Sequence, residues 1–263
     1  GTATIDTVTG GGNGNDTVTI NSGTGAHGVT NFAVTTGTGT DAVNFAGNAT
    51  FAGTVNVTSG GTINSTAGTL TAGTITLTAG TAITQSGSGI LSTAGTLTTS
   101  STTGTSLTNT NAVSTFTATN TTSGAITLVN ATPLLTVGPI TQTGGAVNVT
   151  TSANLTVAAA ATASGAVALN FGQGGTGNTA TINAAVNGST ATVTGGTGND
   201  SSTVNVSGVT SLSLNGAAGS DTYTVNFGSL GGTVAIADTG LSGTDSAFLN
   251  GTAAADTLNV NIS

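Results

Sequence analysis

AGTITLTAGTAITQSGSGILSTAGTLT, residues 72–98, contains no charged side chain, no aromatic ring and no proline. Its aliphatics sit among Thr, Gly, Ala and Ser. In TITLT (74–78), Ile75 and Leu77 alternate with threonines, which sends apolar side chains to one face of a strand and hydroxyls to the other. The same alternation recurs in TVNVT (54–58), TFTAT (115–119), AVNVT (146–150), STVNV (202–206) and YTVNF (223–227). Gly, Asn and Ser clusters separate such runs at short, regular intervals, the pattern of an all-β chain. Helix signals are missing. There is no helical apolar stripe, strong helix formers are few, and the one Ala-rich stretch, VAAAATASGA (157–166), is short and weakly apolar.

Internal repetition separates a solenoid from a sandwich or barrel. The stretch 72–98 is echoed by SGAITLVNATPLLTVGPITQTGGAVNVTTSANLT (123–156). Ile75-Thr76-Leu77 corresponds to Ile126-Thr127-Leu128, and Ile83-Thr84-Gln85 corresponds, at a slightly longer step, to Ile140-Thr141-Gln142. The difference places a loop insertion around Pro133 and Pro139. Shorter steps define one coil: Val34 to Val55, Val204 to Val225, and Leu212 to Val234. The spacing predicts a parallel β-solenoid of about twelve coils of roughly 20–24 residues, forming a rod about 55–60 Å long. Leu70, Ile75, Leu77 and Ile83 would fill its narrow core. Outward threonines would align with those of neighbouring coils, and glycines would supply corners that need positive φ. A narrow interior also accounts for there being only seven Phe and one Tyr.

Composition removes several functions. The 263 residues include 43 Gly and no Cys, Met, Trp, Lys or Arg, and all eight charged residues are Asp. Nucleic-acid binding needs basic groups to neutralise phosphate, and none exists; anionic membrane surfaces are disfavoured for the same reason. Disulfide and thiolate chemistry are absent. No apolar run is long enough to cross a bilayer as a helix. The lack of Lys and Arg denies cleavage to trypsin-like proteases and suits an extracellular life. Starting at Gly1 and ending at Ser263, both in mid-pattern, the chain reads as a mature product or an interior piece of a longer one.

The middle of the chain, roughly 50–170, resembles the filamentous haemagglutinin-type passenger repeats of two-partner-secreted and autotransporter adhesins, through the two runs quoted above. The resemblance implies a right-handed parallel β-helix exposed at a bacterial cell surface. The family's N-terminal secretion domain is not visible. Both ends carry a second pattern. GGNGNDTVT (11–19) is similar to the calcium-binding nonapeptide G-G-x-G-x-D-x-(aliphatic)-x of RTX proteins, with Gly11, Gly12, Gly14, Asp16 and Val18 matching. GGTGNDSST (195–203) matches through Gly195, Gly196, Gly198 and Asp200, with Ser202 in the aliphatic place, and GAAGSDTYT (216–224) keeps Gly216, Gly219 and Asp221. TGTGTDAVN (36–44) and GTAAADTLN (251–259) are weaker relatives. Three segments follow: 1–50 with Asp turns, 51–194 as the haemagglutinin-like core, and 195–263 with Asp turns.

These turns offer Asp16, Asp200 and Asp221 as candidate calcium (Ca2+) ligands, carboxylate oxygen supplemented by Gly-turn carbonyls. An RTX roll needs tandem nonapeptides, whereas Asp200 and Asp221 stand a whole coil apart and Asp16 has no tandem partner. That separation would still stack Asp200 on Asp221, to repel or to share an ion. The alternative is a Gly-Asn-Asp turn opening a strand, its carboxylate bonded to local backbone amides.

Other features read as structural. His27, the only histidine, sits in a Gly-rich loop and is expected at the surface. Tyr223 and Phe227 alternate with Val225 as core or cap residues, and carbohydrate stacking is the other option. Thr-x-Thr motifs, such as Thr74-Ile75-Thr76 and Thr96-Leu97-Thr98, resemble those of ice-binding proteins. Their spacing along the chain is irregular, so they read as ordinary strand alternation. Asn-x-Ser/Thr sequons, Asn56, Asn148 and Asn205 among them, leave glycosylation open. Catalysis is not expected, since Glu, Cys, Lys and Arg are all missing and serines lack a base. The sequence points to an extracellular structural segment of a large bacterial surface protein: a fibre, an adhesin or an S-layer. Its expected partners are further copies of itself, as a homo-polymer, or the rest of a longer chain, with a host or cell-surface glycan as the further partner of an adhesin. Nucleic acid and membrane insertion are not expected. The alternative is a ligand-binding adhesin or ice-binding module working through a flat Thr-rich face.

Overall fold

Alternating side chains make each strand two-faced, so it must bury one face and pair both edges. The computed structural model, which describes residues 1–7, 14–21, 28–205, 208–229 and 231–253, meets both needs by coiling. The chain is a parallel β-solenoid of about 11 turns, as its repeats predict. Among the described residues every strand pairing is parallel, and the only helical element is a 3-10 turn at Phe227–Ser229.

Two strand ladders run along the core, and a short third one through Ala49, Leu70 and Leu91 closes it in the early coils. In the first, which we term sheet I, Phe32, Val55, Ile75, Leu97, Phe116, Val137, Val157, Ile182, Val204 and Val225 are successive register partners, all buried. Ala3 precedes this column and Leu249 follows it. In the second, sheet II, Val18, Val43, Ile63, Ile83, Thr105, Ile126, Val147, Val167 and Ala191 form the facing column. Between Phe32 and Leu249 the shortest coil runs from Leu97 to Phe116 and the longest from Val157 to Ile182, a spread slightly wider than predicted. At about 4.8 Å per rung, the stack is roughly 50 Å tall.

The register corrects two details of the sequence reading. Val55 pairs with Phe32, and Val34 with Val57, so the step from Val34 to Val55 is not a coil. The longer echo is not a coil multiple either. Ile75 lies in sheet I and Ile126 in sheet II, while Ile83 lies in sheet II and Ile140 in sheet I. Both sheets obey the same alternation, so like sequences occur on opposite sides. Near Pro139 there is no loop but a one-residue bulge within strand Leu134–Gln142, where the register slips between Phe116 and Ala118 opposite Val137 and Ile140. Pro139 sits in that slip, where its missing N–H breaks no regular ladder.

Corners are closed by buried amides that the sequence reading did not single out. Asn120 Oδ1 accepts from the Gly104 amide (3.1 Å) and its Nδ2 donates to Gln142 Oε1 (2.8 Å). Gln142 Nε2 donates in turn to the Gly124 carbonyl (2.9 Å). Asn111 and Asn130 accept from the amides of Leu91 and Val113 (2.9 and 2.8 Å). All four residues are buried. Each side chain spans one coil step and satisfies main-chain groups that the bend removes from the ladder.

Candidate functional site: a threonine face and an aspartate corner

Strand alternation leaves the outward positions of sheet I to Thr. Thr96, Thr115, Thr136, Thr156, Thr181, Thr203 and Thr224 occupy one column, each in register with the next. Thr35, Thr58, Thr78, Ser100, Thr119, Thr141 and Thr162 form a second. Between them Asn56, Thr76, Thr98 and Thr117 make a third, in which Thr117 Oγ1 donates to Thr98 Oγ1 (3.0 Å). Across residues 54–58, 74–78, 96–100 and 115–119 the second and third columns coincide, flanked by the register pairs Thr54–Thr74 and Thr96–Thr115, giving a patch of four rungs that includes Asn56 and Ser100. Its repeat is about 4.8 Å between coils and about 6.7 Å along a strand. The irregular spacing of Thr-x-Thr along the sequence is thus regular in space: corner loops of unequal length absorb the difference.

The outward row of sheet II is mixed. Thr19, Asn44, Asn64, Thr84, Ser106, Thr127, Asn148 and Ala168 succeed one another, with Asn64 Nδ2 donating to Asn44 Oδ1 (2.8 Å) and Thr84 Oγ1 donating to Asn64 Oδ1 (2.7 Å). A shallow depression beside this row, lined by Ile83, Thr84, Gly104, Thr105, Ala125 and Thr127, has no ionisable side chain.

The aspartates open strands at two different corners. Asp16 stacks beside Asp41 at the entry to sheet II: the Asp16 amide donates to Asp41 Oδ1 (2.9 Å), and Thr36 Oγ1 donates to Asp41 Oδ2 (2.8 Å). Asp200, Asp221 and Asp245 stack at the entry to sheet I, below Asn178. Each carboxylate there accepts the amide of its counterpart one coil earlier: Asp200 Oδ1 from Asn178 (2.7 Å), Asp221 Oδ1 from Asp200 (2.7 Å) and Asp245 Oδ1 from Asp221 (2.9 Å). Asp200 Oδ2 also accepts from Gly196 (2.6 Å), so both its oxygens are held by main chain. The structure therefore brings Asp200 and Asp221 together, as their one-coil spacing predicted, and leaves Asp16 at the other corner. The bonded amides include those of the preceding coil, not only local ones.

Glycines make room for this ladder. A Cβ on Gly195 would lie 2.4 Å from Asp200 Oδ2, and one on Gly216 would lie 2.2 Å from Asp221 Oδ2. Gly219, at φ +146°, would place a Cβ 2.2 Å from the Gly198 carbonyl of the coil before. The signal common to these corners is shorter than the nonapeptide. It is Gly-x-Asp, found at Gly14–Asp16, Gly39–Asp41, Gly198–Asp200, Gly219–Asp221 and Gly243–Asp245. Reading that tripeptide would have found Asp245 as well, and would have ranked Asp41 of the weaker run 36–44 with the others.

Asp238, also not anticipated, follows strand Thr233–Ile236. Its Oδ1 accepts the Gly240 amide (2.8 Å) and its Oδ2 the Tyr223 hydroxyl (2.8 Å), which itself accepts from the Gly216 amide (2.6 Å). Tyr223 is a core residue and Phe227 packs against the core. His27 lies outside the described residues, as do Gly11, Gly12 and Asp256 of the nonapeptide-like runs. Burial pushes the Asp200 carboxyl above the ordinary carboxylate range, opposed by the Asn178 and Gly196 amides and reinforced by the charge of Asp221. Asp221 is raised first by burial and then by the charges of Asp238 and Asp245, against the Asp200 amide. The Tyr223 phenol is held well above its usual range by burial and by donating to Asp238.

Among known proteins, no family, no curated protein and no solved structure matches the chain.

Proposed function

We propose that this chain is an extracellular structural segment of a large bacterial surface protein, a fibre, adhesin or S-layer, that continues or self-associates along its coil axis. The observation that carries this reading is the stack of parallel strands whose sheet I runs from Thr2–Asp6 to Ser246–Asn250, closed at its corners by its own Asn, Gln and Asp side chains. The filamentous haemagglutinin-like runs and the absence of Lys and Arg support a surface location. A scaffold role rather than a catalytic one is supported by the carboxylates of Asp41, Asp200, Asp221 and Asp245, each of which gives one or both oxygens to main-chain amides. Negative-stain electron microscopy of the purified chain tests the proposal. Rods about 50 Å long, or end-to-end multiples of them, are expected; particles without an elongated axis would overturn it.

One observation favours a second reading. The four-rung threonine patch presents methyl and hydroxyl groups on a mesh set by strand geometry, uncharged and rigidly repeated, a surface on which water can order and join an ice lattice. Glycan stacking has less support, because the one tyrosine is buried. Ice-recrystallisation inhibition by the purified chain, lost in Thr98→Tyr and retained in Thr127→Tyr on the opposite sheet, is the expected result for an ice-binding face. Equal activity of both variants, or none in the parent chain, would rule it out.

A further inference from the structure

Asp221, Asp238 and Asp245 each bring one carboxylate oxygen to a common point, all within 4.8 Å of one another. Asp245 stacks on Asp221 one coil later, and Asp238 lies on the connection leading into Asp245. No side chain among the described residues offers a positive charge to this corner. Main-chain amides hold both oxygens of Asp200 but reach only one of Asp221. Asp221 Oδ2 is buried without any hydrogen-bond partner, in a residue 2% exposed. Gly216 makes room for that oxygen, because a Cβ there would collide with it. An unpartnered buried carboxylate oxygen next to two further carboxylates is costly unless a cation or a proton joins it.

We infer that Asp221, Asp238 and Asp245 form a binding site for a hard divalent cation of the calcium class. Calcium holds oxygens at about 2.3–2.6 Å, so ligands on opposite sides of one ion lie up to about 5 Å apart, and the three carboxylates fit one coordination sphere. Magnesium, at about 2.0–2.1 Å, demands a near-octahedral ligand set and dehydrates reluctantly. Tyr223 does not ligate; by donating to Asp238 Oδ2 it fixes the direction in which that carboxylate faces the ion. Of the three residues that the nonapeptide resemblance singled out for calcium, only Asp221 belongs to this site. Asp16 and Asp200 are outside it, and Asp238 stands in no Gly-x-Asp turn.

Tyr223 also provides the probe. It is the only tyrosine in a chain without tryptophan, and its hydroxyl touches a ligand residue. Terbium, a calcium surrogate, bound here would show luminescence sensitised by that one ring. Titration of the whole chain with terbium is expected to give saturable emission that calcium displaces and magnesium displaces poorly. Asp245→Asn and Asp238→Asn are each expected to weaken binding at least tenfold, while Asp16→Asn leaves it unchanged. Asparagine keeps an oxygen for the Asp221 amide, so Asp245→Asn retains the ladder, and circular dichroism checks the fold. The wild-type titration stands even if a variant does not fold. Absent emission, or emission unaltered in folded Asp238→Asn and Asp245→Asn, would overturn the site: the first would leave Asp221 neutralised by a proton, the second would place the ion elsewhere.

Discussion

Replacing Asp200 by alanine tests whether this carboxylate serves to close the backbone. Asp200 is 3% exposed and accepts two main-chain amides, Asn178 N at 2.7 Å and Gly196 N at 2.6 Å. Alanine strands both donors in a buried corner. A buried donor left without an acceptor costs about 1–3 kcal/mol, so the pair gives a loss of about 2–6 kcal/mol. Asparagine keeps one acceptor and sheds a charge whose burial is already unfavourable, so Asp200→Asn should lose about 1–3 kcal/mol or less. Coils interact mainly with their neighbours, so the damage should centre on the coils that Asp200 joins. Urea titration followed by circular dichroism reads the total, and hydrogen exchange at the Asn178 and Gly196 amides reads the locality. The loss should be the same in calcium and in chelator. A change below about 0.5 kcal/mol, the range of ordinary surface substitutions, or a loss confined to calcium-containing buffer, would refute the view that this carboxylate serves the main chain.

The same corner gives two further outcomes. Gly219→Ala would force a Cβ to 2.2 Å from the Gly198 carbonyl at a φ of +146°, so it should lower the urea midpoint by the equivalent of about 1–3 kcal/mol. Gly228→Ala, whose Cβ would meet nothing nearer than Thr252 Cγ2 at 3.9 Å, should be almost silent. In chelator, acidification should stabilise the fold. The folded-state pKa values of Asp200 and Asp221 are raised, so their contribution is fully present below the unfolded carboxylate value and is lost as pH rises through the folded one. The melting temperature near pH 4 should therefore exceed that at pH 7, and a monotonic fall on acidification would contradict the burial of these groups.

Much of the fold was legible because one local rule, apolar alternating with hydroxyl, is repeated in nearly every coil. The rule gives strand identity and inward residues such as Ile75, Leu77 and Leu97 without reference to partners. It does not give register. Val34 looks equally suited to Val55 or Val57, and the choice is made by the lengths of corner loops, which alternation does not encode. The echo of 72–98 in 123–156 misled for the same reason, since two sheets built on one rule produce similar sequences half a turn out of phase. The threonine columns were hidden by those loops, and only stacking reveals that Thr117 lies on Thr98. At the corners the nonapeptide resemblance found Asp16, Asp200 and Asp221. The physical requirement, a glycine two positions ahead and an amide one coil back, is met equally by Asp41 and Asp245.

The corner series explains why charge concentrates where it does. Asn178, Asp200, Asp221 and Asp245 occupy equivalent places in successive coils, and each of the three carboxylates takes the amide of the residue one coil earlier. An asparagine oxygen can accept that amide as an aspartate can, so the ladder itself does not require charge; Asn111, Asn120 and Asn130 perform comparable bridging elsewhere in the core without it. Asp200 uses its second oxygen on Gly196, which a neutral amide group could not do, and that accounts for one acid. Asp221 makes no such second bond, yet it keeps the carboxylate, two more acids converge on it, and no basic side chain is available in a protein that has neither Lys nor Arg. Double acceptance thus accounts for the acid at position 200, and likewise for Asp238, which takes the Gly240 amide and the Tyr223 hydroxyl, and it leaves the acids at 221 and 245 in excess. The excess lies where a cation shared by two adjacent coils would clamp them together, adding stability in proportion to its occupancy.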